Sequence, residues 1–164
     1  MSDDVSIRDA RTEDAEAFVR AHELAWDAMA GPIVGTSLAE LVPFESRVES
    51  FRAGLAKASA DAHVWVAERA GVIVGEAVCV CEAEACELRD LFVVPDAWGS
   101  GVAQALLETA LAAMRERGAT EALLWVVEAN TRARRFYERE GWTADGETRA
   151  SPLGPRELRY RRVL

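Results

Sequence analysis

Residues 88–107 read LRDLFVVPDAWGSGVAQALL. Residues 88–94 form a strand-like, mostly apolar run that Pro95 stops, because proline cannot donate to a ladder. Gly99, Ser100 and Gly101 follow. Val102, Leu106, Ala110 and Met114 then recur at helical spacing, with Arg115 and Arg117 near the end of the helix and Gly118 after it. A strand that turns through small residues into a helix start can bind an anion. Small residues let a phosphate approach the backbone, and the first-turn N–H groups lack intrahelical partners and lie at the positive end of the dipole. Two glycines at such a turn are also compatible with nothing more than a tight connection, so a second signal is needed.

Downstream, residues 122–127 are apolar on both faces, which predicts a central strand parallel to 86–94 and joined to it by a right-handed crossover. Asn130 begins another short helix and Gly141 ends it. Trp142 opens a last pair of strands that closes with Leu158, Tyr160 and their alternating arginines. Upstream, the valine-rich runs 63–68 and 72–81 are separated by a turn at 69–71, and a second turn at 82–85 leads into the strand at 86–94. Three antiparallel strands therefore meander without a helix.

Residues 5–8 read as a first strand. A helix is expected from about Thr12, whose hydroxyl is suited to cap it while Glu13 and Asp14 favour its positive end. Ala15, Phe18, His22, Ala25 and Met29 give this helix a face that packs on the sheet. Gly31, Pro32 and Gly35 interrupt the pattern with an expected flexible loop, and a second helical region follows Pro43 with Val48, Phe51 and Leu55 on one side. No repeat, low-complexity tract or interdomain linker occurs, so residues 1–164 are read as a single domain.

Composition narrows the function. A chain of 164 residues that is 50% hydrophobic buries roughly 70% of its unfolded surface, so stability requires neither disulfides nor metals. A formal charge of −9 repels a phosphate backbone and argues against nucleic acid as a partner. It serves solubility first, and it could also steer a cationic amine. Residues 1–4 are polar and acidic, and no window reaches the roughly eighteen apolar residues of a membrane span, so the reading is no membrane and a cytoplasmic location. Cys79, Cys81 and Cys86 lack a fourth ligand, so no metal is expected. The odd cysteine count suits a reducing compartment in which all three act as small apolar side chains, with Cys81 and Cys86 facing across a hairpin.

The second signal is residues 130–142, NTRARRFYEREGW, in which Asn130, Ala133, Phe136, Tyr137, Gly141 and Trp142 follow the buried strand. Together the two segments resemble the GNAT superfamily of N-acetyltransferases. The order of elements matches over nearly the whole chain, and the specific motifs occupy 87–103 and 130–142. In that family the glycine loop begins with Arg or Gln, has Gly three residues on and Gly or Ala five residues on. Gly101 and Ala103 match, whereas Trp98 replaces the first residue and removes a polar phosphate contact.

The resemblance implies an α/β (α+β) fold. Its mixed, mostly antiparallel sheet has about seven strands, a splayed parallel pair and about four flanking helices. It implies acetyl-coenzyme A (acetyl-CoA) as cosubstrate and direct transfer to a primary amine of a small molecule or protein N-terminus, with a noncatalytic acyl-CoA sensor as the alternative. A nucleotide kinase would need a lysine in the glycine loop, and Lys57, the sole lysine, lies far before it. A homodimer is left open.

The resemblance also distributes roles. The pantetheine arm lies between the splayed strands and pairs with main-chain groups of Phe92 and Val94, Val93 lying between them. Trp98, Gly99, Ser100, Gly101, Val102 and Ala103 surround the pyrophosphate. Asn130, Ala133 and Phe136 flank the arm, and Asn130 is equally an N-cap. Tyr137 matches the residue that protonates the departing thiolate; without that role it is a packed aromatic beside Phe136. Glu87, and after it Asp90, is the candidate base, the alternative being surface or ion-paired acids with Arg89. Trp26 lines the acceptor pocket or else is a packing residue of the first helix, and acceptor specificity resides in loops near Gly31 and Gly146. His22 is read as a satisfied core histidine, and Arg132, Arg134 and Arg135 as a solvated helix face from which one residue could reach the cofactor's 3′-phosphate.

Overall fold

The computed structural model describes residues 4–57 and 61–164. Seven strands form one sheet in the order β1-β2-β3-β4-β5-β7-β6. They are β1 (Val5–Asp9), β2 (Ala62–Arg69), β3 (Val72–Glu82), β4 (Ala85–Val93), β5 (Glu121–Val127), β6 (Thr143–Ala150) and β7 (Arg156–Val163). All neighbours are antiparallel except β4 and β5.

Four long helices match the expectation: α1 (Ala15–Met29), α4 (Phe44–Ala56), α5 (Val102–Glu116) and α6 (Thr131–Arg139). The segment expected as a flexible loop instead holds two single-turn helices, α2 (Gly31–Val34) and α3 (Leu38–Leu41). The sequence supports both. Pro32 sits in the first turn of α2, Gly35 ends it at φ 81°, and the Ser37 hydroxyl accepts the Glu40 N–H while Glu40 reaches back to the Ser37 N–H. The Thr12 cap is absent: residues Thr12–Asp14 form a 3₁₀ turn, and the Asp14 carboxylate accepts the Arg11 N–H at 2.7 Å.

The helices divide between the two faces of the sheet. On one side α1 and α4 pack together through Phe18 and Phe51, whose rings lie 4.1 Å apart, and α1 rests on β3 and β4. On the other side α5 inserts Leu106, Leu107, Ala110, Leu111 and Met114, all buried. Gly75 of β3 permits that close approach. A Cβ there would stand 3.0 Å from Leu106 Cδ1, 3.1 Å from the Phe92 carbonyl and 3.2 Å from Val102 Cγ1.

Cys81 and Cys86 face each other in the β3–β4 hairpin and are joined as a disulfide. The expectation of three apolar thiols therefore holds only for Cys79. That thiol is buried and free, and burial pushes its pKa up to about 11.

Candidate active site

β4 and β5 pair only through Ala85, Cys86 and Glu87, opposite Glu121, Ala122 and Leu123. Beyond Glu87 the strands part, β4 staying with β3 and β5 with β7. The gap opens into a cavity of about 840 Å³, bounded by 90–93 on one side, 125–127 on the other, the start of α5 and one face of α6. Trp26 and Met29 of α1, with Ala30 just after it, complete the wall.

At one end lies the glycine turn. Gly99 and Gly101 have φ of 74° and 88°, both line the cavity, and a Cβ on either would meet nothing within 4 Å. A side chain there would therefore enter space that a ligand can fill. No side chain caps α5, so its first N–H groups remain available to an anion, and these residues fit a pyrophosphate. Trp98, which stands where the motif has Arg or Gln, uses its indole N–H on the Val93 carbonyl at 2.8 Å. The Arg132 guanidinium lies 3.8 Å over the indole ring and lines the cavity. A cation thus returns to the turn from α6.

The main-chain groups facing the gap differ from those expected. Glu76 pairs with Phe92 and Gly75 with Val93, and the Val94 N–H bonds the Val74 carbonyl at 2.9 Å. Because antiparallel partners alternate between bonded and non-bonded pairs, Phe92 and Val94 direct their peptide groups at β3. The peptide groups that turn toward β5 are those of Leu91 and Val93. Val94 does not line the cavity, whereas the Phe92 ring does.

One irregularity sets the chemistry of the wall. Val78 pairs with Asp90 but Cys79 pairs with Leu88, which leaves Arg89 as an extra residue in β4. This β-bulge puts Glu87 and Asp90, three residues apart, on one face. Asp90 lines the cavity; Glu87 does not, and lies 3.8 Å from Arg89 where the strands are still paired. Burial raises the Asp90 pKa, His22 and Arg89 oppose the shift, and Glu87 adds to it. Tyr137 also lines the cavity and is buried, edge-on to Phe136 at 5.3 Å and Trp142 at 6.0 Å. Burial, and after it Asp90, pushes its phenol well up.

Of the other residues anticipated around the cofactor, Gly99, Gly101, Val102, Ala103, Asn130, Ala133 and Phe136 line the cavity. Asn130 also caps α6, accepting the Ala133 N–H at 3.1 Å. Ser100 lies outside, its hydroxyl donating to the Ala97 carbonyl at 2.6 Å. Arg134 donates to the Tyr160 hydroxyl and the Glu128 carbonyl, whereas Arg132 and Arg135 line the cavity. Gly31 belongs to α2, and Gly146 lies at the register shift within β6.

Sequence reading missed Glu76, which is 1% exposed and bonded to His22 Nδ1. An acid inside the apolar run VIVGEAVCVC of residues 72–81 was the available signal.

A cavity at splayed parallel strands, with an uncapped helix start and facing aromatic and acidic side chains, defines an acyl-CoA-binding cleft of the N-acetyltransferase class. The sequence agrees: residues 18–142 match the acetyltransferase (GNAT) family, and the chain belongs to that family, whose enzymes take the acetyl group from acetyl-CoA. The fold is shared with PaiA N-acetyltransferase from Thermoplasma acidophilum, solved with coenzyme A (TM-score 0.80, 18% identity, 98% of this chain and 99% of that one). It is also shared with the ribosomal-protein-S18-alanine N-acetyltransferase of Escherichia coli (0.72, 17%, 96% and 92%). Ribosomal-protein-alanine N-acetyltransferase from Brucella melitensis is a third such structure (0.70, 23%, 97% and 99%). None of the curated proteins shows a significant sequence match. Among the described residues, no helix is long and apolar enough to cross a membrane.

Proposed function

We propose that the chain transfers the acetyl group of acetyl-CoA directly to a primary amine, with Asp90 as base and Tyr137 as acid. The observation that carries this reading is that both side chains open on the one cavity that also holds the glycine turn. Asp90 replaces Glu87 as the favoured base because it lines the cavity and Glu87 does not. Its carboxylate accepts a proton from the incoming ammonium and leaves a neutral amine to attack. A base of raised pKa suits this step at neutral pH.

Tyr137 keeps its proton because burial disfavours the phenolate, so it can donate to the departing thiolate. The Val93 N–H on the wall of the gap is placed to polarise a carbonyl. The first amides of α5 and the Arg132 guanidinium bind phosphate, and Arg132 is the favoured choice among the α6 arginines because it stands over Trp98 beside the turn. Trp26 flanks the acceptor end, where Asp90 provides negative charge for a cationic amine, while Glu157 and the Trp125 ring on the same cavity wall are engaged by Arg149.

The test is thiol release from acetyl-CoA across a panel of small amines and peptides with free N-termini. Amine-dependent release that disappears in Asp90→Asn supports the reading. Tight coenzyme A binding without release for any amine would leave a sensor.

A further inference from the structure

Glu76 has no evident role in building the sheet. It is 1% exposed in the middle of β3, one oxygen bonds His22 Nδ1, and the other, Oε2, is buried without a hydrogen-bond partner among the described residues. A carboxyl in that position is costly, and well-packed apolar residues commonly do as well or better in place of a buried ion pair. Something other than stability should account for it.

The register shows what lies beside it. Glu76 pairs with Phe92 and Val78 with Asp90, so Glu76 and Asp90 are diagonal neighbours on one face, within the reach typical of such pairs. His22 projects from α1 onto the same face, with its ring 4.6 Å from that of Phe92. Phe92 and Asp90 both line the cavity. A histidine anchored to a buried acid therefore stands behind the wall that carries the proposed base.

We propose that His22, anchored by Glu76, is a positioning residue that holds Asp90 in its charged, proton-accepting form. The inference rests on the assignment of Asp90 as base. Burial alone would leave Asp90 protonated over more of the pH range, and Glu87 on the same face acts in that direction. Two cations act against it. Arg89 has a side chain 53% exposed, where water and salt screen it. His22 is the enclosed one, its side chain 23% exposed.

His22 must itself stay charged against its own burial and against Arg47 of α4, and Glu76 and Asp90 supply the opposing charge. The remaining titratable neighbour is Tyr137 of α6, which interacts with Asp90. In the reaction the ammonium proton passes to the Asp90 carboxylate, giving a carboxylic acid and a free amine, and no other bond changes at this cluster.

The experiment uses the full chain with His63→Gln as background, which leaves His22 as the one imidazole visible by NMR. Asp90→Asn and Glu76→Gln should each lower the His22 titration midpoint, by about half a pH unit or more. A midpoint unmoved by Asp90→Asn overturns the proposal whether or not the chain turns over. In kinetics, His22→Gln should move the acid limb of kcat/KM upward by about half a pH unit or more, with KM for acetyl-CoA unchanged within about twofold. The double variant with Glu76→Gln should move it no further. A purely structural His22 would lower the melting temperature and leave the limb in place, which also overturns the proposal. Wild type inactive toward every amine would instead refute the assignment of Asp90 as base, and with it the role drawn for His22.

Discussion

The two edges of β4 behave differently. Toward β3 the strand stays in register from Ala85 to Val93 with one bulge, and toward β5 it pairs through Ala85, Cys86 and Glu87 before separating. On the closed edge the peptide groups satisfy one another, so the side chains there answer to packing. On the open edge the Leu91 peptide groups and the Val93 N–H are left for another occupant, the Val93 carbonyl being taken by the Trp98 indole N–H. The same strand thus supplies a structural seam and a binding wall, and the comparison can be broken by substitutions that should affect one edge and spare the other.

The largest effect is expected from Asp90→Asn, which keeps the shape of the side chain and removes the base from the open edge. kcat/KM at neutral pH should fall about 10³-fold, roughly 4 kcal/mol of barrier, with little change in melting temperature. Glu87→Gln, two strand positions away at the closed end, should cost less than about threefold. The reverse order would return the base to Glu87.

Gly101→Glu comes next. It places bulk and negative charge where a Cβ now meets nothing within 4 Å, at a residue with φ 88°. Coenzyme A affinity by calorimetry should drop about 100-fold, or roughly 2.7 kcal/mol, in a variant that still folds. Unchanged affinity would remove the phosphate cradle. Tyr137→Phe retains the ring and deletes the proton, and a loss of about 10² in kcat is expected, the low end for general acids. The low end applies because a thiol ionises near pH 8.5, if coenzyme A resembles cysteine, and so leaves without full protonation. A loss under threefold with chemistry rate-limiting rejects the role.

On the closed edge, Gly75→Ala should destabilise the fold by about 1–3 kcal/mol, read from denaturant midpoints. The added Cβ meets Leu106, Phe92 and Val102 at 3.0 to 3.2 Å. Coenzyme A affinity of the folded fraction should hold within a few fold.

The smallest effect is one of pH. Burial pushes the Glu76 pKa from 4.5 to about 7, and His22 is also raised. The fold therefore favours the protonated forms: the stability this confers is fully present below about pH 4.5 and is lost as the pH rises through about 7. The change is on the order of 1–3 kcal/mol, and Glu76→Gln should flatten it. Asp14 runs the opposite way. Its hydrogen bond with Arg8 lowers its pKa, so that contribution is lost as the pH falls below its ordinary value of 3.8.

Most of the architecture was legible because its signals are local. Alternating valines, the stop at Pro95, the glycine turn and the apolar run at 122–127 each report the state of their own segment, and together they foretold the parallel pair, whereas its splaying was implied only by the family resemblance. The short helices α2 and α3 were hidden because Gly31, Pro32 and Gly35 read as breakers, although Pro32 starts one turn and Gly35 ends it.

The site was legible in outline through two motifs and failed in its details for a different reason. Whether Phe92 or Val93 offers its peptide group to the gap depends on the phase of pairing with β3. Whether Glu87 or Asp90 reaches the cavity depends on where β5 departs. Neither quantity is written in the residues of β4. Glu76 and His22 lie 54 positions apart, and only the folded sheet makes them neighbours.

The extra residue at Arg89 acts as a change of parity in a strand that otherwise counts by twos. Before it, even-numbered residues such as Cys86 and Leu88 share one face; after it, odd-numbered Leu91 and Val93 continue that face and even-numbered Asp90 and Phe92 take the other. An odd-length edit among the paired residues of β4 is therefore not a small change. Deleting Arg89 itself would remove the bulge and leave Leu88 facing α5 and Asp90 facing α1, whereas deleting a paired residue such as Leu91 would turn the later side chains over or slide the rest of the strand by one place and put the glycine turn out of step with the gap. In a lineage, this stretch tolerates exchange of letters, and a change in their number only at the bulge.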